Sequence, residues 1–280
     1  MRRTLKNRLE LSSIYLVVLL MFAAIAYPLL WTLSISLNPG TSLFSASLIP
    51  DNWSLTHYEW LFTDPRSDYL LWYRNTLLVA AVTSAASVLL VSGVAFAFSR
   101  YEFVGRRYGI YAFLLLQMFP VLMGMVAIYL LLNVVGLLDS LWGLVLIYVG
   151  GGLPMNAFLV KGYLDTIPRD LDESAKIDGA GHLRIFARIL LPLAKPILAV
   201  VALFNFMAPF MDFLLPRIIL RSPEKFTLAL GLFNFINDKF ANNFTRFAAG
   251  AILIAVPIAA VFLFLQRYLI TGLAEGATKG

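Results

Sequence analysis

The stretch "RDLDESAKIDGAGHLRIFARILLPL" places six charged residues between Arg169 and Asp178, glycines at 179 and 181, and then an amphipathic run that ends at Pro192. Its chemistry is electrostatic and steric, not catalytic. Asp170 and Glu173 have capping-box spacing, in which the aspartate accepts orphan N–H groups while the glutamate reaches back to its backbone. Asp172 and Glu173 also fall in the first turn, where the helix dipole favours negative charge. The spacing predicts a helix from Leu171 to about Asp178, stopped by Gly179, with Gly181 as a second permissive joint. Leu183, Phe186, Ala187 and Leu190 then recur at i, i+3, i+4 and i+7, with Arg184 and Arg188 on another face, as in a helix lying at a membrane surface. Pro192 and Pro196 mark the start of the next element. The first half is too polar to sink into lipid on any face, and it sets Ala175, Ile177 and Ala180 beside Asp172, Glu173 and Asp178. A small knob of this kind suits a protein socket better than it suits a bare connector.

Residues able to drive chemistry are scarce elsewhere. The chain has two histidines, His57 and His182, and no cysteine. It has no phosphate-cradling G-x-x-x-x-G-K-[ST] loop and no His-Glu-x-x-His pair, so neither nucleotide hydrolysis nor metal chemistry is expected of it. Asp212 is the one acid close to an apolar run, whereas a proton- or sodium-driven carrier carries buried ionisable groups. Work done by this chain therefore needs a motor from outside it.

The elements that must position the charged stretch follow from composition. Of 280 residues, 60% are hydrophobic and only 14% charged, well below the roughly 25% charged of a water-soluble domain. No Asp, Glu, Lys or Arg occurs in 11–50, 75–99, 108–138, 140–160, 196–211 or 247–266. About 20 apolar residues cross the hydrocarbon as a helix, so these gaps predict an all-α membrane protein with six spans near 14–36, 75–98, 109–132, 141–161, 194–215 and 247–267. The first apolar run continues through Pro28 to Leu37, too long for a cleaved leader's core, and reads as a retained span. Fifteen of the 22 bases (Arg2, Arg3, Lys6, Arg8, Arg100, Arg106, Arg107, Lys161, Arg169, Lys176, Arg184, Arg188, Lys195, Arg267 and Lys279) fall on one side if the N-terminus is cytoplasmic. The positive-inside rule then places both termini and the charged stretch in the cytoplasm. The net charge of +6 flanks apolar runs without forming one basic face, which fits lipid headgroups and not nucleic acid. Residues 1–280 read as one transmembrane domain, with a cytoplasmic arm 1–12, a cytoplasmic segment 163–193 and a tail 268–280. The outside loop 37–73 carries Trp53, Tyr58, Trp60, Tyr69, Trp72 and Tyr73, expected to anchor at the headgroups. The loop 216–246 is expected to hold a short surface helix.

"ESAKIDGAGHLRIFARILLP" resembles the EAA motif of binding-protein-dependent ABC importer permeases, with Glu173, Ser174, Ala175, Gly179, Leu190, Leu191 and Pro192 at the motif positions and Ser174 standing where the family has alanine. "LLQMFPVLMGMVAIYLLL", "LVKGYLDTIPRDL" and "LQRYLITGLAEGATKG" narrow the similarity to the second permease subunit of maltose/maltodextrin-type importers. The resemblance implies a type I ABC importer permease fold in a bacterial inner membrane. It also implies a second homologous permease, two ATPase subunits that use ATP and Mg, and an extracytoplasmic sugar-binding protein. This chain would bind no cofactor or metal of its own and would carry no catalytic residue.

Within that resemblance, Asp172, Glu173, Ser174, Ala175, Asp178, Gly179 and Ala180 form the coupling segment seated on an ATPase. Glu173 meets a basic group there, Gly179 gives the bend, and Ala175 and Ala180 make close contact. Gly272, Leu273, Glu275 and Gly276 belong to a tail similar to one that enters the ATPase interface. Gln117, Asn156, Asn205 and Asp212 are pathway candidates, because neutral polar groups suit an oligosaccharide, although helix-to-helix hydrogen bonds are their commoner use. Pro120 beside Gln117 predicts a kink.

Overall fold

The computed structural model describes residues 2–41, 49–50, 52–237 and 242–277, the side chains of 2–10, 121–122 and 270–277 excepted. Among the described residues the chain is helical without strands: α1 (Arg2–Ser36), α2 (Thr56–Thr63), α3 (Tyr69–Arg100), α4 (Arg106–Gln117), α5 (Val121–Val134), α6 (Leu141–Asp165), α7 (Asp170–Ile177), α8 (His182–Ile185), a π turn (Phe186–Leu190), α9 (Leu191–Leu193), α10 (Lys195–Met211), α11 (Leu214–Ile219), α12 (Leu228–Phe233) and α13 (Phe244–Ala277). Contacts divide it into two units, residues 1–67 with 232–255, and residues 68–231 with 256–280.

Among the described residues four helices are long and apolar enough to cross a membrane, Leu11–Ser36, Tyr69–Arg100, Leu141–Asp165 and Phe244–Leu269, and the bent pair His182–Leu193 with Lys195–Met211 makes a fifth if it is one span. The four contain the first, second, fourth and sixth predicted spans. The other two predicted spans are not single long helices in the structure. The run 109–132 is not one helix, because α4 ends at Gln117 and α5 begins after Pro120. Proline has no N–H to give the helix ladder, and its ring crowds the preceding turn, so the expected kink is a full break. The fifth span narrows from 194–215 to the 17 residues of α10, which Asp212 ends in an extended conformation. His182–Leu193 and Lys195–Met211 meet at 76°. Pro196 sits in the first turn of α10, where its missing N–H does no harm but the preceding helix cannot continue through it.

In the first unit, α1 exposes nearly all of its side chains from Leu11 to Leu30. The interior gathers where the chain leaves α1. His57 is buried, with Nε2 lying 3.0 Å from the carbonyl oxygens of Asn38 and Gly40 and 2.8 Å from Thr245 Oγ1. Carbonyls only accept, so Nε2 carries the hydrogen, and the buried Nδ1 has no hydrogen-bond partner among the described residues. Arg246 stacks on the ring of Trp60 at 3.6 Å.

Burial lowers the His57 pKa from its ordinary value; the hydrogen bonds to Gly40 and Asn38 oppose the shift and the Arg246 charge adds to it. The folded unit therefore holds neutral His57. Its stability contribution is fully present above the unfolded value of about 6.5 and declines as pH falls below it. The thermal midpoint of the purified chain is expected to drop between pH 7.5 and 5.0, and the drop should shrink in His57→Gln. Equal pH slopes for the two proteins would reject this role.

In the second unit α3 packs along α6 and α10. The loop expected to hold one surface helix forms α11, a 3-10 turn at Pro223–Lys225 and α12, and it docks on the start of α3. Trp72 Nε1 donates to Pro223 O, and Asn75 Nδ2 donates to Glu224 O and Phe226 O. Tyr69 and Trp72 are both buried, so neither serves the headgroup anchoring expected of it. Asp139 accepts from the backbone N–H groups of Arg221 and Ser222, from Ser222 Oγ and from Lys225 Nζ. Burial alone would raise its pKa, but these donors hold the carboxyl well below the usual carboxylate range.

Candidate functional site

The charged stretch is held at the C-terminal ends of α3 and α6. A helix leaves its last carbonyls without intrahelical donors, and arginines fill the gap here. Arg106 donates from Nε to Phe98 O and from Nη2 to Ser99 O, both at 2.9 Å, and Arg169 Nη2 reaches Ser99 O at 3.2 Å. Ser99 Oγ donates to Asp165 Oδ1 at the end of α6. Arg100 then ties three elements together. Its Nη1 donates to Ser99 Oγ, its Nη2 donates to Ile167 O, and its Nε lies 2.6 Å from Asp172 Oδ2 on α7. The two side chains of this ion pair are only 8% and 9% exposed. The contact is one of charge and not of an aligned N–H, and Asp172 Oδ1 has no hydrogen-bond partner among the described residues.

The helix α7 starts one residue earlier than predicted, and the capping box does not form. Arg169 is the N-cap in helical conformation with no side-chain cap, so Asp170 is already inside the first turn with Asp172 and Glu173. Pro168, just ahead, has the fixed φ that seeds such a turn. The C-terminal stop is as predicted. Gly179 has φ +79, Gly179 N–H donates to Lys176 O at 3.0 Å, and Ala180 N–H donates to Ala175 O at 2.9 Å. Those are the two bonds of a Schellman motif, and the left-handed residue it needs is glycine at no steric cost.

This geometry sorts the segment into two faces. Asp172 and Ala175 point inward, Ala175 into a cluster with Phe96, Leu164, Ile185 and Leu190, against which Ala180 also packs. Glu173, Ser174, Asp178 and Gly179 are exposed, and Ile177 is 87% exposed. Among the described residues Glu173 makes no hydrogen bond or ion pair. The segment's second half is anchored by rings, with Phe96 4.8 Å from Phe186 and Tyr101 5.1 Å from His182. The exposed face thus carries two acids, Glu173 and Asp178, one large apolar side chain, Ile177, and the glycine turn.

Three of the four pathway candidates converge. A methyl group on Gly152 would lie 3.1 Å from Asn205 Oδ1 and 3.2 Å from Asn156 Nδ2. Gln117 Nε2 donates to the neighbouring Gly151 O at 3.1 Å. Asn205 is buried, donates to Val201 O and accepts from Ser87 Oγ; its bonds join α10 to α3. Asp212 lies apart from this group, accepting from Tyr148 OH and from the N–H groups of Leu214 and Leu215. Gly272, Leu273, Glu275 and Gly276 lie in the helical backbone of α13, but their side chains lie outside the described residues.

Arg100, Arg169, Ser99 and Asp165 hold the site and were missed as site residues. Counting charges by side of the membrane records Arg100 only as a basic end to a span. The one available signal was its place in the last turn of an apolar helix, where a base can reach carbonyls and a neighbouring acid.

Residues 89–274 match the family model described as "Binding-protein-dependent transport system inner membrane component". The galactooligosaccharides transport system permease protein GanQ of Bacillus subtilis is 49% identical over 267 residues, which cover 95% of this chain and 94% of that one. The maltodextrin transport system permease protein MdxG of the same organism is 47% identical over 266 residues, 95% of each chain. Among solved structures, a chain of a bacterial ABC transporter involved in the import of the acidic polysaccharide alginate superposes with a TM-score of 0.76 at 25% identity, covering 92% of this chain and 96% of that one.

Proposed function

Since the chain belongs to the family of binding-protein-dependent transport system inner membrane components, we propose that it is the permease subunit of an ATP-driven importer of maltodextrin-like oligosaccharides. It pairs with a second, homologous permease to form the path. Two ATPase subunits, which use ATP and Mg, seat on the exposed face of α7 and its glycine turn, and an extracytoplasmic binding protein delivers the sugar. Both termini and the segment 163–193 lie in the cytoplasm of a bacterial cell, in keeping with the distribution of bases. Closure of the ATPases moves α7, and the Arg100–Asp172 pair and the Schellman turn pass that movement to α3 and α6 as a rigid unit, rocking the helices between two states.

The observation that carries this reading is the mount itself: a charged knob exposed on one face and fixed on the other to two long apolar helices. The similarity to a galactooligosaccharides permease favours a second substrate class of the same kind. Uptake of labelled maltose, longer maltodextrins and galactose-containing oligosaccharides, measured with all subunits present, separates the two. Uptake of maltodextrins that stops when the ATPase is omitted is expected; uptake without any ATPase would reject the reading.

A further inference from the structure

The turn from α3 to α4 builds a second polar site at the same end of the unit. Arg106, Arg107, Tyr108, Tyr111, Lys161 and Glu102 line an open cavity of about 490 Å³. Two of its three bases are pinned. Arg106 is fixed by the carbonyls of Phe98 and Ser99, and Lys161 Nζ lies 2.5 Å from Asp165 Oδ2. Arg107 is exposed and makes no hydrogen bond or ion pair among the described residues; its guanidinium carbon lies 5.8 Å from the Tyr108 ring. Counting Glu102 and Asp165 against the three bases leaves one positive charge, the complement of a single phosphodiester.

The surroundings specify the rest of the ligand. Val104 is fully exposed and Phe103 is 44% exposed beside the bases. From the cavity, α4 runs on with Tyr111, Leu115 and Leu116 exposed at 57%, 66% and 71%, an apolar track that a water-soluble ion would leave uncovered. Basic side chains, tyrosines at the polar boundary and an apolar track in line match an amphiphile with an anionic head. We propose that this turn binds the phosphodiester headgroup of an anionic phospholipid, with Arg107 reaching the phosphate and α4 carrying an acyl chain. The site needs only that the chain is inserted in a membrane, and it stands independently of the sugar transported.

The test is native mass spectrometry of the detergent-purified complex, loaded with phosphatidylglycerol or phosphatidylcholine. Wild type is expected to retain phosphatidylglycerol over phosphatidylcholine. Arg107→Gln should lower the retained phosphatidylglycerol about fivefold, the weight of one base near an anionic surface, and Arg107→Lys should keep most of it. Arg188→Gln, which removes an exposed base elsewhere, should change nothing. Equal retention by wild type and Arg107→Gln, or equal retention of the two lipids, would overturn the site. Displacement of the lipid by millimolar inorganic phosphate would reassign it to a soluble anion.

Discussion

Gly179→Val is expected to cut uptake at least tenfold while leaving the amount of protein in the membrane unchanged. The position has φ +79, and a Cβ built there meets nothing within 4 Å, so the effect is backbone strain and not a clash. An L-residue in the left-handed region costs about 1–2 kcal/mol, and more when β-branched. That is small against the stability of the whole chain, but it is enough to depopulate one turn about tenfold. Gly179→Asn should retain most uptake, because asparagine tolerates this conformation. Glu173→Gln, in contrast, keeps shape and turn and removes only the exposed charge. It is expected to lose uptake and to uncouple ATP hydrolysis from sugar. Normal uptake by Gly179→Val and Glu173→Gln alike would refute a coupling role for the segment.

Asp172→Ala is expected to destabilise the purified chain by about 3–5 kcal/mol, since it strands the buried Arg100 charge. Arg100→Ala leaves Asp172 in the same state and additionally frees Ile167 O and Ser99 Oγ. The pair Arg100→Met with Asp172→Leu removes both charges and should recover most of the stability, because a well-packed apolar pair often equals a buried ion pair. Its uptake should nevertheless remain impaired, since the hydrogen bonds that tie α3 to Ile167 are gone. Denaturant melts of the four proteins in detergent, with uptake measured on each, decide the matter. Single variants as stable as wild type would show that the pair does not hold α7.

The sequence was readable where one physical rule acted alone. Long charge-free runs have to be helices in lipid, and α1, α3, α6 and α13 lie where those runs are. Gly179 ended α7 as expected, because a left-handed residue is required there and few others fit. Reading failed where two rules competed. Pro120 inside an apolar run fits either a kink or a break, and only packing on both sides decides between them. Asp170 and Glu173 had capping spacing, but Pro168 started the helix one residue early and turned the cap into a first-turn acid. Ala175 looked like part of an exposed knob because the helix period alone does not say which face is covered. The Arg100–Asp172 pair joins residues far apart in the chain, and no local pattern links them. Tyr69 and Trp72 had the composition of an interfacial belt, yet both are buried, and Trp72 is tied to Pro223 by a hydrogen bond.

The most direct test uses the absence of native cysteine. Ile177→Cys gives a single thiol on the exposed face of α7, to be probed in intact cells with a membrane-impermeant maleimide and in the assembled transporter with a thiol-to-amine cross-linker. No labelling from outside is expected, together with a product joining this chain to the ATPase subunit. Rapid labelling from outside intact cells, with no ATPase product, would contradict a coupling role for α7.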